Sequence, residues 1–336
     1  MTEQKNLSSP RVDRWLPGLV AAAACVAAAA TPAWAEEARF EHTRGLTYAE
    51  PGGVPLKADV FAPPRAGEGP ATPRPGVLVV HGGAWMQGRR THMAPIAARL
   101  AENGYVAVSI DYRLAPDHKF PAQIEDCRQA VRWMRENAGR LRIDPQHIGA
   151  VGISAGGHLV SLLATDQPAD EQPANGQHAG EPNAGEPDAR EPDARPASSR
   201  VQMAVGLATP CDFRQLPPNI DFLAYWLGGT RGELPDTYRA ASPAAFVTPD
   251  DPPLLLIHGS KDRLVPVAGP RAMYATLQEA GVVSELLVID GGGHNTPAFD
   301  AKAVAKMSEF FATHLPTNPA TTAADSGKEP AEAGEP

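Results

Sequence analysis

The chain has 336 residues and a formal net charge of −9 at pH 7, from 39 acidic and 30 basic side chains. No basic patch stands out that could replace the counterions of a nucleic acid, so the composition argues against nucleic-acid binding. Eight of the acidic residues lie in the polar segment 166–200, beside only three basic ones. The net charge therefore says little about what the rest of the chain binds.

The first 35 residues have the pattern of a signal peptide. Three basic residues precede an alanine-rich apolar run over residues 19–30, and Ala33-Trp34-Ala35 supplies an A-x-A cleavage site. A membrane anchor and a lipid attached at Cys25 are the alternatives, but the apolar run is short for a span of about 20 residues. We expect cleavage after Ala35, export to the periplasm or the extracellular space, and no stable membrane insertion of the mature chain.

After this leader, apolar patterns alternate between the period of strands and that of helices. An antiparallel pair is predicted first, around the turn at Pro51-Gly52-Gly53. The helix predicted over 122–138 is amphipathic, and its apolar face consists of Ile124, Cys127, Val131 and Met134. The predicted strands of this half are 46–49, 56–61, 76–80 and 105–110, and its other predicted helix is 93–102.

The second half of the chain continues this alternation. Asp144-Pro145 is predicted to turn the chain into a buried strand at 147–151, and an apolar helix follows near Gly157. Three more strands are predicted at 201–208, 254–257 and 285–289. Alternating strands and helices predict an α/β fold, with a mostly parallel central sheet flanked by helices.

Two segments lack the large apolar residues of a folded core. Residues 166–200 are rich in Pro, Ala, Gly, Asp and Glu and contain three pentapeptide repeats, the first being Gly180-Glu181-Pro182-Asn183-Ala184. Residues 317–336 have a similar composition. Because such segments cannot bury enough surface to offset chain entropy, we expect a disordered insert and a disordered tail within and after one globular domain spanning 36–316.

The segment 210–249 interrupts the alternation of strands and helices. It contains several Pro and Gly residues together with four aromatic residues, Phe213, Phe222, Tyr225 and Trp226. One interpretation is a small cap inserted over the carboxyl ends of the strands. The other is that these aromatic side chains only pack at the base of the segment.

The pentapeptide Gly152-Ile153-Ser154-Ala155-Gly156 lies between a predicted strand and a predicted helix. A G-x-S-x-G pentapeptide alone is weak evidence, but in this context it is typical of a nucleophile elbow. The tight turn projects the serine hydroxyl toward a base, and the glycines let helix and strand approach closely. Ser154 is therefore the candidate nucleophile.

Three other polar motifs follow predicted strands, at the edge where ligand sites form in open α/β sheets. His81-Gly82-Gly83-Ala84-Trp85 follows the strand 76–80, Asp262 follows 254–257, and His294 follows 285–289. The chain order of serine, aspartate and histidine is that of α/β-hydrolases. Ser154, Asp262 and His294 are thus the candidate catalytic residues.

These motifs, together with Asp111-Tyr112-Arg113-Leu114-Ala115-Pro116, resemble those of α/β-hydrolase fold esterases and lipases. The chain is most similar to the bacterial carbohydrate-esterase-like branch of feruloyl and acetyl-xylan esterases, over about residues 39–315. The resemblance implies a secreted serine carboxylic ester hydrolase that forms an acyl-enzyme on short-chain or carbohydrate-linked esters, with small-molecule or polysaccharide substrates and without metal or cofactor. It also implies an oxyanion hole made by the N–H groups of Gly83, Ala84 and Ala155.

Two other functions stay open. An amide-cleaving hydrolase, such as a formamidase or a peptidase-like enzyme, can share the His-Gly-Gly-x-Trp loop, although export argues against cytosolic catabolism. A non-catalytic binding protein could use the same scaffold. The intact set of three candidate catalytic residues argues against this last function.

Several polar residues have competing interpretations. Asp212, which follows the preceding strand, is the rival for the acid, and Asp262 is preferred because it follows its own strand within a short loop. His81 is expected to shape the oxyanion loop, whereas His158 and His258 are expected to be structural.

The sequence also predicts the role of two cysteines and the size of the substrate pocket. Cys127 and Cys211 are expected to be packing residues, and a disulfide between them is the alternative. The segment 210–249, with Trp85 beside the oxyanion loop, is expected to leave a pocket for a short acyl chain.

Overall fold

The computed structural model describes residues 39–65, 72–166, 197–218 and 220–317. The predicted signal peptide, nearly all of the predicted insert and the tail after residue 317 lie outside the described residues. Within the described ranges, every helix falls short of the length and apolarity that crossing a membrane requires.

Within the described residues, eight strands form one sheet, as the alternation of the sequence predicts. The spatial order is β1-β2-β4-β3-β5-β6-β7-β8. The first strand is antiparallel to the second and the second to the fourth, while all other pairs are parallel. The strands are β1 (Glu41–Ala49), β2 (Leu56–Ala62), β3 (Arg74–Val80), β4 (Val106–Ile110), β5 (Ile143–Ile153), β6 (Ala204–Leu207), β7 (Leu254–Gly259) and β8 (Ser284–Ile289).

Helices connect the strands and cover both faces of the sheet. They are α1 (Ala94–Glu102), α2 (Ala122–Glu136), α3 (Ala138–Leu141), α4 (Ala155–Thr165), α5 (Asp221–Leu227), α6 (Pro235–Ala240), α7 (Ala268–Glu279), α8 (Thr296–Phe299) and α9 (Ala301–His314). Short 3₁₀ turns lie at Pro51–Gly53, Arg90–Met93 and Pro243–Ala245. The prediction of an α/β fold with a mostly parallel sheet is confirmed.

The core consists of two apolar layers, one on each face of the sheet. Because side chains alternate between the faces of a strand, Leu78 and Val80 of β3 pack with α2, α4 and α7, whereas Val77 and Val79 pack with α1 and α9. All four side chains are fully buried. Burial on both faces explains why the parallel strands are continuous apolar runs in the sequence.

The structure differs from the prediction around Asp144-Pro145. The sequence predicts a turn there, but β5 already begins at Ile143. In its pairing with β3, Pro75 lies opposite Asp144 and the next residue, Gly76, lies opposite Ile148. The β5 residues between Asp144 and Ile148 have no partner on β3 in this register and form an irregularity within the strand. Pro145 therefore interrupts the pairing without ending the strand.

The segment 210–249 contains α5, α6 and a 3₁₀ turn. Phe213 and Trp226 are buried in the core shared with α2 and α4, so for these two residues the packing interpretation is right. Phe222 and Tyr225 are about half exposed, at 48% and 51%. Burial of the first pair anchors the segment to the body of the domain.

Cys127 on α2 and Cys211 after β6 are buried free thiols. They pack in the same apolar layer as α2 and α4. The packing prediction is confirmed, and the disulfide alternative is wrong.

Candidate active site

Ser154 lies in the turn between β5 and α4, as the pentapeptide predicts. Its backbone has φ 56° and ψ −119°, a left-handed conformation that non-glycine residues rarely adopt. A Cβ at Gly152 would overlap the carbonyl of Gly156, and one at Gly156 would overlap the carbonyl of Val80. The two glycines are therefore what allows the strand, the turn and the helix to come this close, leaving Ser154 strained at the tip.

His294 and Ser154 meet at the carboxyl edge of the sheet. His294 follows β8, and its Nε2 lies 2.9 Å from Ser154 Oγ, while its Nδ1 lies 2.7 Å from Asp262 Oδ2. Since a carboxylate only accepts, Nδ1 carries the proton and donates, which leaves the Nε2 lone pair to accept from the serine hydroxyl. The structure thus joins the three sequence-predicted residues in one hydrogen-bonded chain.

Asp262 is buried and held by its own loop. Its Oδ1 accepts hydrogen bonds from the backbone N–H groups of Leu264 and Val265, each at 2.9 Å. Burial by itself would raise the pKa of this carboxyl, but these bonds and the one from His294 outweigh it and lower the pKa. The carboxylate is therefore ionised near neutral pH and available to orient the imidazole.

His258 contacts the same carboxylate, which the sequence analysis did not anticipate. Its Nε2 donates to the carbonyl of Val265 at 2.8 Å and lies 3.2 Å from Asp262 Oδ2. Burial lowers the pKa of His258, so the ring is neutral. His258 is the last residue but one of β7, and Asp262 follows four residues after it, a spacing that could have suggested the contact. The residue braces the loop that holds Asp262.

Asp212, the rival acid, is engaged elsewhere. Arg214 donates to its carboxylate through Nε at 3.0 Å and Nη2 at 2.8 Å, and its backbone N–H adds a third bond at 2.9 Å. Asp262, and not Asp212, is the carboxylate in contact with His294.

The predicted oxyanion loop adopts a sharply bent conformation. Gly83, Ala84 and Trp85 all have positive φ, at 124°, 51° and 61°, and the N–H groups of Met86 and Gln87 both donate to the carbonyl of Gly83. Gly83 and Ala84 border the same cavity as Ser154. Ala155 is the first residue of α4, where backbone N–H groups have no partner within the helix. The three predicted oxyanion residues therefore flank the nucleophile.

His81 supports this loop, as the sequence predicts. Its Nδ1 lies 2.7 Å from the carbonyl of Gly82, and its ring stacks on Tyr112 with centroids 4.2 Å apart. The Tyr112 hydroxyl donates to the His81 carbonyl at 3.1 Å. Burial lowers the pKa of His81 to about 4, so it is neutral and unsuited to act as a base near pH 7.

A cavity of about 650 Å³ adjoins Ser154, a volume typical of small-molecule sites. Among the described residues, its lining is mostly apolar and has no Asp, Glu, Lys or Arg. The lining residues are Gly82, Gly83, Ala84, Gln87, Gly88, His92, Met93, Pro95, Ile96, Ile153, Ser154, Leu264, His294, Asn295, Ala298 and Phe299. The walls therefore come from the oxyanion loop, the start of α1 and the loops after β7 and β8.

The prediction that Trp85 and the segment 210–249 shape this pocket is wrong for the described residues, since none of them lines it. Trp85 is only 2% exposed, and its indole stacks face to face on Trp226 at 3.7 Å. Each large ring gains more from burial against the other than from facing solvent. A wider role of the segment as a cap remains a prediction.

The fold and the site together define an α/β-hydrolase. Residues 59–277, well over half of the chain, match the BD-FAE family, and the chain belongs to that family. The resemblance stated from the motifs is thereby confirmed.

Individual relatives are esterases. Esterase LipC of Mycobacterium tuberculosis is 31% identical over 287 residues, which are 82% of this chain but only 65% of LipC. The truncated form of a carbohydrate esterase from gut microbiota superposes with a TM-score of 0.70 at 26% identity, covering 83% of this chain and 98% of that one. The butyrate-bound esterase Est2 of Thermogutta terrifontis has a TM-score of 0.65 at 25% identity, covering 84% and 96%. The chain thus spans less than two thirds of the length of LipC, and the relatives and solved structures that it matches are esterases.

His158, on α4, is a third buried neutral histidine beside the site, after His258 and His81. Its Nδ1 accepts from the indole N–H of Trp85 at 3.2 Å, and its Nε2 donates to the carbonyl of Ala241 at 2.6 Å. Burial lowers its pKa to about 4, as for His81. The sequence predicts a structural histidine here, and the full burial of the ring agrees with that.

These buried histidines predict a loss of stability in acid. Unfolding restores an ordinary pKa of about 6.5, so the unfolded chain binds more protons as the pH falls from 6.5 towards 4. Between pH 7 and pH 5 each such histidine lowers the free energy of unfolding by about 2 kcal/mol. Urea titrations at both pH values should show a drop about 2 kcal/mol smaller in His158→Asn than in wild type. Equal drops would contradict a neutral, buried His158.

Proposed function

We propose that the protein is an exported serine hydrolase that cleaves short-chain or carbohydrate-linked carboxylic esters through an acyl-enzyme on Ser154. The observation that carries the proposal is the hydrogen-bonded chain from Asp262 through His294 to Ser154, at the edge of a cavity that holds a small substrate. The nucleophile, the base and the group orienting the base are thus all within direct contact.

In the first half of the reaction, Ser154 Oγ attacks the ester carbonyl while its proton passes to His294 Nε2. Asp262 keeps the imidazole in the tautomer that can accept this proton and stabilises the imidazolium that forms. The oxyanion is held by the N–H groups of Gly83, Ala84 and Ala155. The intermediate then collapses, His294 returns the proton to the leaving alcohol, and the acyl group stays on Ser154.

In the second half, water takes the place of the alcohol. His294 removes a proton from the water, whose oxygen attacks the acyl carbonyl at the same oxyanion hole. Collapse of the second intermediate releases the carboxylic acid and restores the serine hydroxyl. The chain's own side chains supply every proton transfer.

The chemistry of the cavity supports neutral ester substrates. Its lining offers apolar walls from Met93 and Ile96, and the part of the chain that the structure describes contributes no Asp, Glu, Lys or Arg side chain to it. Leu264 and Phe299, at its rim, are 75% and 73% exposed, and such apolar surface suits an acyl chain or the face of a sugar ring. The likeness to a carbohydrate esterase and to butyrate-bound Est2 supports the carbohydrate and short-chain parts of the proposal.

Export is the part of the proposal that rests on sequence alone. The basic, apolar and A-x-A regions of residues 1–35 support it. Amino-terminal sequencing of the protein from the periplasm or medium of its host should begin at Glu36. A cytosolic protein that keeps Met1 would contradict export without touching the hydrolase proposal.

The proposal predicts a preference for short acyl chains. Among the described residues, the helical part of the lining comes from the 3₁₀ turn Arg90–Met93, from α1 and from the four-residue helix α8, and no long apolar lid helix lies there. Nitrophenyl acetate and butyrate should therefore have a kcat/KM about tenfold or more above that of nitrophenyl palmitate. Methylene groups that do not fit a pocket typically lower kcat/KM by about this factor.

The same assay series separates esterase from its alternatives. Acetylated xylan and methyl ferulate should be hydrolysed, and formylkynurenine should not. A rate that rises sharply once palmitate ester exceeds its solubility would indicate a lipase. Faster cleavage of formylkynurenine than of any ester would overturn the proposal in favour of an amide-cleaving enzyme.

A further inference from the structure

The oxyanion loop contains two adjacent non-glycine residues in left-handed conformations. Ala84 has φ 51° and Trp85 has φ 61°. Such a conformation is strained for a residue with a Cβ, relative to ordinary backbone. The loop therefore needs contacts from outside to hold its N–H groups in place.

Trp85 provides these contacts. Its indole stacks on Trp226 with an interplanar angle of 4°, and its carbonyl accepts from the N–H of Ala115 at 3.0 Å. The one polar group of its side chain, the buried indole N–H, donates to His158 Nδ1 at 3.2 Å. Since indole has one donor and no acceptor, this bond is what satisfies the indole and fixes where its ring edge points.

His158 also belongs to the nucleophile helix. It lies one turn after Ser154 in α4, and its backbone N–H donates to the Ser154 carbonyl at 2.9 Å. One residue thus contacts both the turn that carries the nucleophile and the loop that carries the oxyanion donors. We propose that His158 is a positioning residue that fixes the oxyanion loop relative to Ser154, through its bond to Trp85.

The ring is well suited to this task because its two partners require one tautomer. The indole of Trp85 only donates and the carbonyl of Ala241 only accepts, so Nδ1 carries the lone pair and Nε2 carries the proton. A protonated ring would set an N–H against the indole N–H and break the link. The burial that keeps His158 neutral therefore also keeps the loop anchored.

The inference rests on the ester hydrolysis proposed above and concerns its transition state. The oxyanion donors act mainly on the charge that develops during the reaction, so misplacing them lowers kcat and leaves ground-state binding nearly unchanged. Loss of one oxyanion donor costs about 10²–10³ in kcat. Loosening the loop should cost less, about tenfold to a hundredfold in kcat, with KM within about twofold of wild type.

Two amide substitutions separate the two bonds of the ring. Asn at position 158 places its amide near the Nδ1 site, so His158→Asn keeps an acceptor for Trp85 but loses Ala241. Gln places its amide near the Nε2 site, so His158→Gln reaches Ala241 but leaves the indole unpaired. We expect kcat of the Asn variant within about threefold of wild type and the full loss in the Gln variant.

Thr165→Val is the matched control. Thr165 lies on the same helix, is buried, and donates to the Pro243 carbonyl of the same segment that His158 contacts, at 3.1 Å. This variant should lose stability, as the His158 variants do, but keep its kcat. A decline of kcat in proportion to stability across all three variants would reduce His158 to a structural role and overturn the inference.

A second pair of measurements identifies the route through Trp85. Trp85→Phe removes the indole N–H and keeps an aromatic ring, so combining it with His158→Gln should cost little beyond the larger single loss. Affinity for a trifluoromethyl ketone, which mimics the tetrahedral intermediate, should fall in parallel with kcat/KM. Additive losses, or unchanged inhibitor affinity, would contradict the inference. A wild-type protein without esterase activity would instead overturn the proposed function.

Discussion

Replacement of Ser154 by alanine is expected to reduce kcat on nitrophenyl acetate by a factor on the order of 10⁴ or more. The reaction loses its nucleophile, and His294 then has no serine hydroxyl to activate. His294→Ala should be comparably severe, because residues that act as a unit lose nearly everything when one is removed. Steady-state rates with each purified variant measure both effects.

Folding should be preserved in the Ser154→Ala variant. Alanine fits the elbow, and the hydrogen bond of the serine hydroxyl goes to His294, a catalytic partner on a separate loop. Ser161→Ala is the matched control, since Ser161 lies two turns further along α4 and its buried hydroxyl has no partner among the described residues. That variant should keep its kcat. A Ser154→Ala enzyme with more than about a hundredth of wild-type kcat would contradict the assignment.

Replacement of Asp262 by asparagine is expected to reduce kcat by about 10³–10⁴. The amide oxygen would stay on the N–H groups of Leu264 and Val265, which turns the amide nitrogen toward His294 Nδ1. An N–H at that position favours the tautomer with its proton on Nε2, and this tautomer cannot accept the serine proton. A pH–rate profile on a nitrophenyl ester, together with the unfolding temperature, measures the effect.

Asp212→Asn is the control for the choice of acid. Its side chain pairs with Arg214 and not with the histidine, so this substitution should weaken a partly exposed ion pair and leave kcat within about twofold. If Asp212→Asn were the crippling change and Asp262→Asn nearly silent, the acid assignment would be wrong.

Sequence patterns predict the sheet and the polar ends of its strands well, because these are local signals. The apolar run 76–80 and the motif after it can be recognised from residues adjacent in the sequence. The run predicts a strand, and β3 ends at Val80 as expected. Ser154 was predictable for the same reason, since the glycines around it record a close approach within a few residues.

The features that the sequence did not reveal depend on contacts far along the chain. The direction of the Trp85 ring is set by Trp226 and His158, and no pattern near Trp85 indicates that it turns away from the cavity. The contact of His258 with Asp262 depends on how tightly the loop after β7 folds back. Long-range packing overrides what local motifs predict about side-chain direction.

The start of β5 at Ile143 differs from the prediction because of strand pairing and not because of side-chain packing. Pro145 cannot donate to a ladder, so the sequence predicts a turn there. The pairing of β3 with Ile143 and Asp144 continues the strand across this interruption. A rule based on one residue, such as proline predicting a turn, does not take into account pairing with a neighbouring strand.

The central claim is that Ser154 is an activated nucleophile at a hydrolytic site. Its most direct test is the intact mass of the protein, and of its peptides, after incubation with a fluorophosphonate, which reacts with activated serines. We expect one phosphonyl group per chain, located on the peptide that contains Ser154 and absent from Ser154→Ala. A folded protein that takes up no phosphonyl group, or that carries it on another residue, would show that Ser154 is not the activated nucleophile.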